Sequence, residues 1–445
     1  MTQKIEESPT RRIWSIAGPS ILASLSGATV GIVDIWAIGH LPDQAPLAGL
    51  AVGSFLIITL YMLFSFLYMS TVGLVAQSLG AKRSREMVEV VLRSTVLAVA
   101  FGIVIVLLSP LIVWASVSIW APSQAAAEQA RDYLTIRLLA MPAIFATMVV
   151  LGLLIGIQKA RLALYLELLL NGLNVILTLG FVIGLGWQAA GAALGSLVAE
   201  WTAALLGCVF VVRLLRSKRI LAVLRDSSFW VFQSFRVQLT INGFFLARTL
   251  CIQLVFAVLS VSGARLGDSV LAANHVLLQM AFVTSLGLVG MSSATQALVG
   301  EAKGAADLRK FHYWARMTGI WSGVVGLAFT STYWIAGHWI IAAFTDVEVV
   351  RAAAQQQLLL IALWPVLAFA SYQMDGIFIG ATGAKQMLIS ASVSAVVFYI
   401  SQAVLAPLYG NTGLWIAFII FFLSRAVMLF AFYPALSRRV DGSLA

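Results

Sequence analysis

Long apolar runs dominate this chain, and short polar clusters interrupt them at regular intervals. A run of about 20 apolar residues gives a helix long enough to cross the hydrocarbon core of a bilayer. Such runs lie at about 13–40, 47–78, 88–114, 127–156, 161–185, 189–214, 231–261, 268–299, 311–340, 353–380, 386–407 and 411–435. The pattern predicts an all-α polytopic membrane protein with about twelve transmembrane helices. The first run, from about Ile13 to Leu41, exceeds the roughly 7–15 residues of a signal-peptide core. It follows a polar stretch that contains Glu6 and Glu7, so it reads as a helix that stays in the membrane.

Composition narrows the class. The chain is 61% hydrophobic and 10% charged, whereas globular domains carry about 25% charged residues. A soluble fold has too little polar surface to cover this much apolar material. The net charge of +10 does not point to nucleic acid, because the cations sit in short loops between spans. Lys4, Arg11 and Arg12 precede the first span; Lys82, Arg83 and Arg85 follow the second, and Lys159 and Arg161 the fourth. Arg213, Arg216, Lys218, Arg219 and Arg225 follow the sixth, Lys303, Arg309 and Lys310 the eighth, Lys385 the tenth, and Arg438 and Arg439 the last. The alternate loops hold only Arg131, Arg265 and Arg351. By the positive-inside rule both termini are cytoplasmic, and an even number of spans fits that by putting both on one side. Plasma membrane, in a bacterium the inner membrane, is the expected location. Cys208 and Cys251 lie in apolar runs, and neither they nor the four histidines show a metal, disulfide or nucleophile spacing. No cofactor and no metal are expected.

The chain resembles itself at an offset of about 220 residues. A-Q-S-L-G-A-K around Gln77 parallels T-Q-A-L-V-G-E-A-K-G around Gln296, Met141-Pro142 parallels Trp364-Pro365, and Gly191 parallels Gly413. Leu151-Gly152, Gly156 and Arg161 parallel Asp375-Gly376, Gly380 and Lys385. These ordered matches predict two six-helix lobes, residues 1–215 and 231–445, joined by a basic cytoplasmic linker at 216–230. A six-helix repeat preserves orientation, so the lobes are expected to be related by a pseudo-two-fold axis along the membrane normal, with substrate held between them.

Four carboxylates fall inside apolar runs: Asp34, Glu167, Glu200 and Asp375. A charged group at helix-centre depth costs about 2.5–3.5 kcal/mol on insertion scales, so it is kept for a proton, an ion, a substrate or a partner. Asp34 lies in V-G-I-V-D-I-W-A-I-G-H, near the outer end of the first span. Burial favours its neutral acid and a bound cation favours its carboxylate, so one group can exchange a proton for a cation. Pro19, Gly27 and Gly31 precede it; a proline removes a backbone bond and bends a helix. Asp375 has no acidic counterpart in the first half, where Leu151 stands. It could serve substrate or pair with Arg248 or Arg425. Arg137, Arg248 and Arg425 are the deepest cations and are expected to find acids or snorkel to an interface. Glu200 reads as an interfacial ion-pair member. Asn171, Asn174, Asn242, Gln253, Asn274 and Gln279 are expected to hydrogen-bond between helices. Five G-x-x-x-G pairs (Gly49/Gly53, Gly152/Gly156, Gly180/Gly184, Gly191/Gly195 and Gly376/Gly380) predict close helix packing.

The motif set resembles the MATE (multidrug and toxic compound extrusion) transporters, in particular their DinF-like branch. It comprises I-A-G-P-S-I-L at 16–22, V-D-I-W-A-I-G-H-L at 33–41, L-A-G-L-A-V-G at 47–53, F-F-L-A-R-T-L with Gln253 and G-A-R-L-G at 244–267, A-T-Q-A-L-V-G-E-A-K-G at 294–304, and D-G-I-F-I-G-A-T at 375–382. The resemblance implies antiport, in which an organic substrate leaves while H⁺ or Na⁺ enters. It assigns cation coupling to Asp34, with Asn174 beside it. Thr178 and Gln296 stand where the family pattern often has carboxylates, which weakens a Na⁺ site and favours H⁺. Asp34, Asp375, Arg248, Asn242 and Gln253 are the candidate substrate contacts. Pro19, Gly27 and Gly31 are the candidate bending positions. The expected function is export of organic, cationic and amphipathic drugs in exchange for H⁺ by alternating access, from a monomer in contact with membrane lipids and with no nucleic acid. Na⁺ coupling and flipping of lipid-linked or amphipathic substrates are the alternatives. An enzyme is not expected, since no cluster of His, Asp or Ser gathers at one interface.

Overall fold

A computed structural model describes residues 8–40, 45–120 and 123–440. Lys4, Glu6, Glu7, Leu41 and the side chain of Lys218, which entered the readings above, lie outside the described residues. The described residues form seventeen α-helices, one π-helical turn and one 3₁₀ turn, with no strand. In chain order the helices are α1 (Pro9–Gly39), α2 (Ala45–Phe64), α3 (Phe66–Gly80), α4 (Ser84–Leu107), α5 (Ser109–Trp120), α6 (Gln124–Leu138), α7 (Met141–Gly156), α8 (Ala160–Leu179) and α9 (Gln188–Leu215). After these come α10 (Ser217–Leu224), α11 (Phe232–Arg265), α12 (Asp268–Gly304), α13 (Leu308–Phe344), α14 (Glu348–Gln356), α15 (Leu358–Gly380), α16 (Ala384–Tyr409) and α17 (Asn411–Arg438). Eleven helical stretches are each long and apolar enough to cross a membrane, and the bent pair α6–α7 makes up to twelve. The all-helical architecture follows from the bilayer, which leaves backbone amides no partner but one another.

Several spans are broken. The α6–α7 pair bends by 50°. Pro142 occupies the first turn of α7, where its missing N–H costs nothing. Gly180–Gly184 closes α8 as a π turn, with Leu185 N–H donating to the Gly180 carbonyl at 3.1 Å. That turn explains one departure from expectation. Four of the five G-x-x-x-G pairs pack as anticipated: a Cβ would stand 2.2 Å from Tyr133 at Gly53, 2.7 Å from Val75 at Gly156, 2.9 Å from the Thr178 nitrogen at Gly195, and 2.5 Å from the Gln296 carbonyl at Gly380. Gly180 and Gly184 meet nothing within 4 Å. They serve the helix end rather than a helix pair.

The chain divides into two compact units. The first comprises Leu22–Leu79 and Arg83–Leu239. In it α2 packs on α6, α4 on α7, and α8 on α9. Residues 216–230, read as a linker, are folded within this unit. Asp226 accepts from Ser228 N–H at 3.0 Å and Ser228 Oγ at 2.7 Å, and pairs with Arg85. The Ser228 bonds first, then Arg85, hold its carboxyl below the usual carboxylate range. Trp230 donates to the Leu224 carbonyl at 3.1 Å, and the Arg93 guanidinium lies 5.4 Å from the centre of the Phe229 ring.

The second unit runs up to Ile21, includes Gly80–Lys82, and continues from Thr240. In it α12, α13, α15 and α17 surround a dense aromatic core with Trp364, Trp415, Phe418, Phe421 and Phe422 buried together. Gln373 ties three helices. Its amide donates to the Ala315 carbonyl (3.0 Å) and Thr318 (2.8 Å), and its oxygen accepts from Thr295 and Ser322 (3.0 Å each). A buried amide so fully satisfied rigidifies a core.

Candidate functional site: an acid without a partner

Asp34 lies on α1, five residues before the helix ends at Gly39. It is only 8% exposed, yet its Oδ1 has no hydrogen-bond partner, and no ion pair reaches it among the described residues. Three helices supply its surroundings. α8 contributes a polar stripe of Glu167, Asn171, Asn174 and Thr178, whose spacing of four, three and four residues lines one helical face. Asn171 Nδ2 donates to Ser26 Oγ at 2.7 Å, which fixes α8 beside α1. Eight residues further along α1 is Asp34, and seven further along α8 is Thr178, which interacts with the Asp34 carboxyl. The two helices therefore run in the same direction, both advancing about 10–12 Å between these contacts.

Asn174 and Thr178 are buried. Asn174 Nδ2 donates to Ser196 Oγ on α9 at 2.8 Å, but its Oδ1 is unpartnered, as is Thr178 Oγ1. Arg137, from the last turn of α6, acts electrostatically on both Asp34 and Glu200. It is 9% exposed, and its Nε and Nη1 have no partner. The expectations that Arg137 and Glu200 pair are corrected here: neither closes an ion pair among the described residues. Glu200, on α9, acts electrostatically on Glu167, and both acids act on Tyr61 of α2. The neighbourhood thus combines three acids, one arginine and several unpaired oxygens. Burying such groups unpaired is costly, which makes this neighbourhood the candidate site.

The three proposed bending positions lie on α1 before Asp34. Pro19 is inside the helix, which nevertheless continues to Gly39. A Cβ at Gly27 would touch only Asn171, at 4.0 Å, and one at Gly31 would meet nothing within 4 Å. Loose packing there leaves this stretch of the helix room to move.

The second buried acid is placed quite differently. Asp375, on α15, accepts at Oδ2 from Arg248 of α11 and, at 2.6 Å, from Arg425 of α17. All three side chains are buried. Phe421 and Phe422 lie 5.5 and 5.6 Å from the Arg425 guanidinium. Of the other candidate substrate contacts on α11, Asn242 is buried with both amide atoms unpartnered, and Gln253 is half-buried. The structure therefore joins Arg248 to Asp375, and neither Asn242 nor Gln253 hydrogen-bonds to that pair. Arg425 was visible in the sequence as a possible partner. Gln373 was not singled out, since a glutamine beside an aspartate carries no signal of its bonding.

Family comparison now adds to this geometry. The MatE family model matches residues 19–179 and 246–408. The chain belongs to the MatE family. This MatE protein is 35% identical over 432 residues to the DNA damage-inducible protein F of Escherichia coli, covering 96% of this chain and 92% of that one. It is 25% identical to the chloroplastic protein DETOXIFICATION 44 of Arabidopsis thaliana, covering 93% of this chain and 80% of that one. Among solved structures, a multidrug resistance MATE family transporter in an outward-facing conformation aligns with TM-score 0.85 at 20% identity, covering 98% and 97% of the two chains. A MOP superfamily transporter from Pyrococcus furiosus, described by the reverse polarity of its binding pocket, aligns with TM-score 0.84 at 19% identity over 97% of each chain. The MatE protein described here is an integral membrane transporter rather than an enzyme.

Proposed function

We propose that this MatE transporter exports organic cationic amphipaths in exchange for protons, and that Asp34 carries the exchange. The observation that supports this reading is the state of Asp34: buried in an apolar span, with its Oδ1 unpartnered and no ion pair on the carboxyl among the described residues. An acid locked in an ion pair cannot trade a proton for cargo without first breaking that pair. An unpartnered acid can, because in low dielectric its charge depends on whatever cation is close. In the outward state substrate lies near Asp34. Proton entry neutralises the carboxyl, weakens its hold on the substrate and lets α1 move where Gly27 and Gly31 are loosely packed. Loss of the proton to the inner side restores the carboxylate. Similar proteins solved as MATE in a bent and in a straight conformation, both aligning with TM-score 0.86, are in keeping with two shapes of one fold. In this reading the protein works as a monomer in a bacterial inner membrane, with both termini inside.

A second reading, Na⁺ coupling, is favoured by one observation. Asp34 Oδ1, Asn174 Oδ1 and Thr178 Oγ1 are all unpartnered oxygens, the ligand type that a hard cation takes. Only one of them carries a formal charge, and Thr178 and Gln296 stand where further carboxylates are expected for such a site. Reconstituted protein separates the two readings. An imposed pH gradient without Na⁺ is expected to drive a fluorescent organic cation across the bilayer. Transport driven by a Na⁺ gradient alone, with none from the pH gradient, contradicts proton coupling.

A further inference from the structure

Arg137 does not belong to the coupling scheme above, and its environment is unusual. It is the penultimate residue of α6, directly before the 50° break that leads into α7. A guanidinium inside a membrane protein ordinarily binds an acid or a carbonyl, because leaving it unpaired is expensive. The other two deep arginines, Arg248 and Arg425, do so through Asp375. Arg137 is 9% exposed with Nε and Nη1 bonded to nothing, and it acts electrostatically on two carboxyls from different helices, Asp34 of α1 and Glu200 of α9.

Resting on the proton-coupled reading of Asp34, we infer that Arg137 is a shared counter-ion that pairs alternately with Asp34 and Glu200. With Asp34 ionised, the three groups carry one positive and two negative charges, and the guanidinium is drawn toward the Asp34 carboxylate. When a proton from the outer side adds to that carboxylate, Asp34 becomes a neutral acid and Arg137 transfers its pairing to the Glu200 carboxylate. The trio then sums to zero. Departure of the proton to the inner side reverses the exchange. Because Arg137 adjoins the α6–α7 joint, each change of partner pulls at a place where the span is already broken.

The remaining charged and titratable neighbours fit this role. α6 packs against α2, α5 and α9. From α2 comes Tyr61, which faces Glu200 and Glu167; α5 has no titratable residue; from α9 comes Glu200. Glu167 of α8 is acted on by Glu200 and hydrogen-bonds with Asn171. On α6 itself, Glu128, Arg131 and Asp132 lie more than one turn earlier, and Tyr133, one turn before Arg137, contacts Ser54 at 3.5 Å. Among the described residues no acid closes an ion pair with the guanidinium.

The test is the pH profile of proton-driven efflux in proteoliposomes, measured with an organic cation for wild type, Arg137→Gln, Arg137→Lys, Glu200→Gln and the double variant. Without the Arg137 charge Asp34 keeps its proton to higher pH, so the profile of Arg137→Gln moves up by roughly one unit. Glu200→Gln strands the guanidinium on Asp34, and its profile moves down by a similar amount. Arg137→Lys keeps the wild-type position, and the double variant behaves as Arg137→Gln alone, because Glu200 acts through Arg137. A merely structural arginine lowers rates in every variant without opposite displacements. Profiles that stay in place, or move independently in the double variant, overturn the inference. If Arg137→Gln does not fold, the downward shift of Glu200→Gln decides alone. Asp34→Asn, measured alongside, separates the two levels: if it retains proton-driven efflux the proton-coupled reading falls, whereas if it loses efflux while the other profiles stay fixed only the counter-ion role falls.

Discussion

The two units of this protein each bury an aspartate in a membrane span and treat it in opposite ways. Asp375 is clamped by Arg248 and Arg425 in an aromatic core, so three helices meet on one carboxylate oxygen. Asp34 sits among loosely packed glycines with its one nearby arginine unbonded. Both acids are buried in apolar spans, so burial alone does not set the state of an acid. What differs is the set of partners, and with it the freedom to gain or lose a proton. The clamped acid ties three helices of its unit, while the other stands outside any ion pair among the described residues.

The comparison breaks most readily at the clamp. Asp375→Asn leaves two buried guanidinium groups facing a neutral amide, a loss of about 3–5 kcal/mol in stability. Thermal unfolding in detergent is expected to show a large drop in midpoint. A variant as stable as wild type means that the triad does not anchor the second unit. A smaller contrast comes from adding one methyl group on each side. Gly380→Ala places a Cβ 2.5 Å from the Gln296 carbonyl, and overpacking of this kind costs about 1–3 kcal/mol. Gly31→Ala meets nothing within 4 Å and is expected to leave stability unchanged or slightly raised through helix propensity, by up to about 1 kcal/mol. Equal effects at the two glycines remove the difference in packing on which the comparison stands.

The smallest effect concerns the folded connection after α9. The Asp226 carboxyl is held below its ordinary range by Ser228 and Arg85. A depressed carboxyl contributes above its unfolded value and loses that contribution as pH falls through the folded one. Protection against hydrogen exchange in residues 217–230, relative to the intrinsic rate at each pH, is therefore expected to fall on acidification below about pH 4, and Asp226→Asn should show the lower protection already at neutral pH. Exchange that is insensitive to both changes removes Asp226 from the docking of this segment.

Much of this was legible in the sequence, and the limits have physical causes. The spans were readable because the bilayer demands about 20 apolar residues whatever the fold. Asp34 was readable because an ionisable group in such a run is conspicuous. The bend between α6 and α7 was not, although Pro142 stood in view, because the same residue starts a straight helix as easily as it follows a broken one. Four glycine pairs announced close packing, whereas Gly180 and Gly184 had the same spacing and ended a helix. Above all, the partners of buried charges were hidden. Arg137, Arg248 and Arg425 look alike as letters in apolar runs, and only the fold reveals that two are bonded and one is not.

The central claim is that Asp34 is the exchangeable acid, and one measurement addresses it directly. Wild type and Asp34→Asn are reconstituted side by side, Na⁺ is excluded, and transport of an organic cation is followed after a pH jump. The account predicts that the asparagine protein folds with wild-type stability to within about 1 kcal/mol, since no ion pair is lost. It also predicts that gradient-driven transport falls to the level of empty vesicles. Undiminished proton-driven transport by Asp34→Asn contradicts the account.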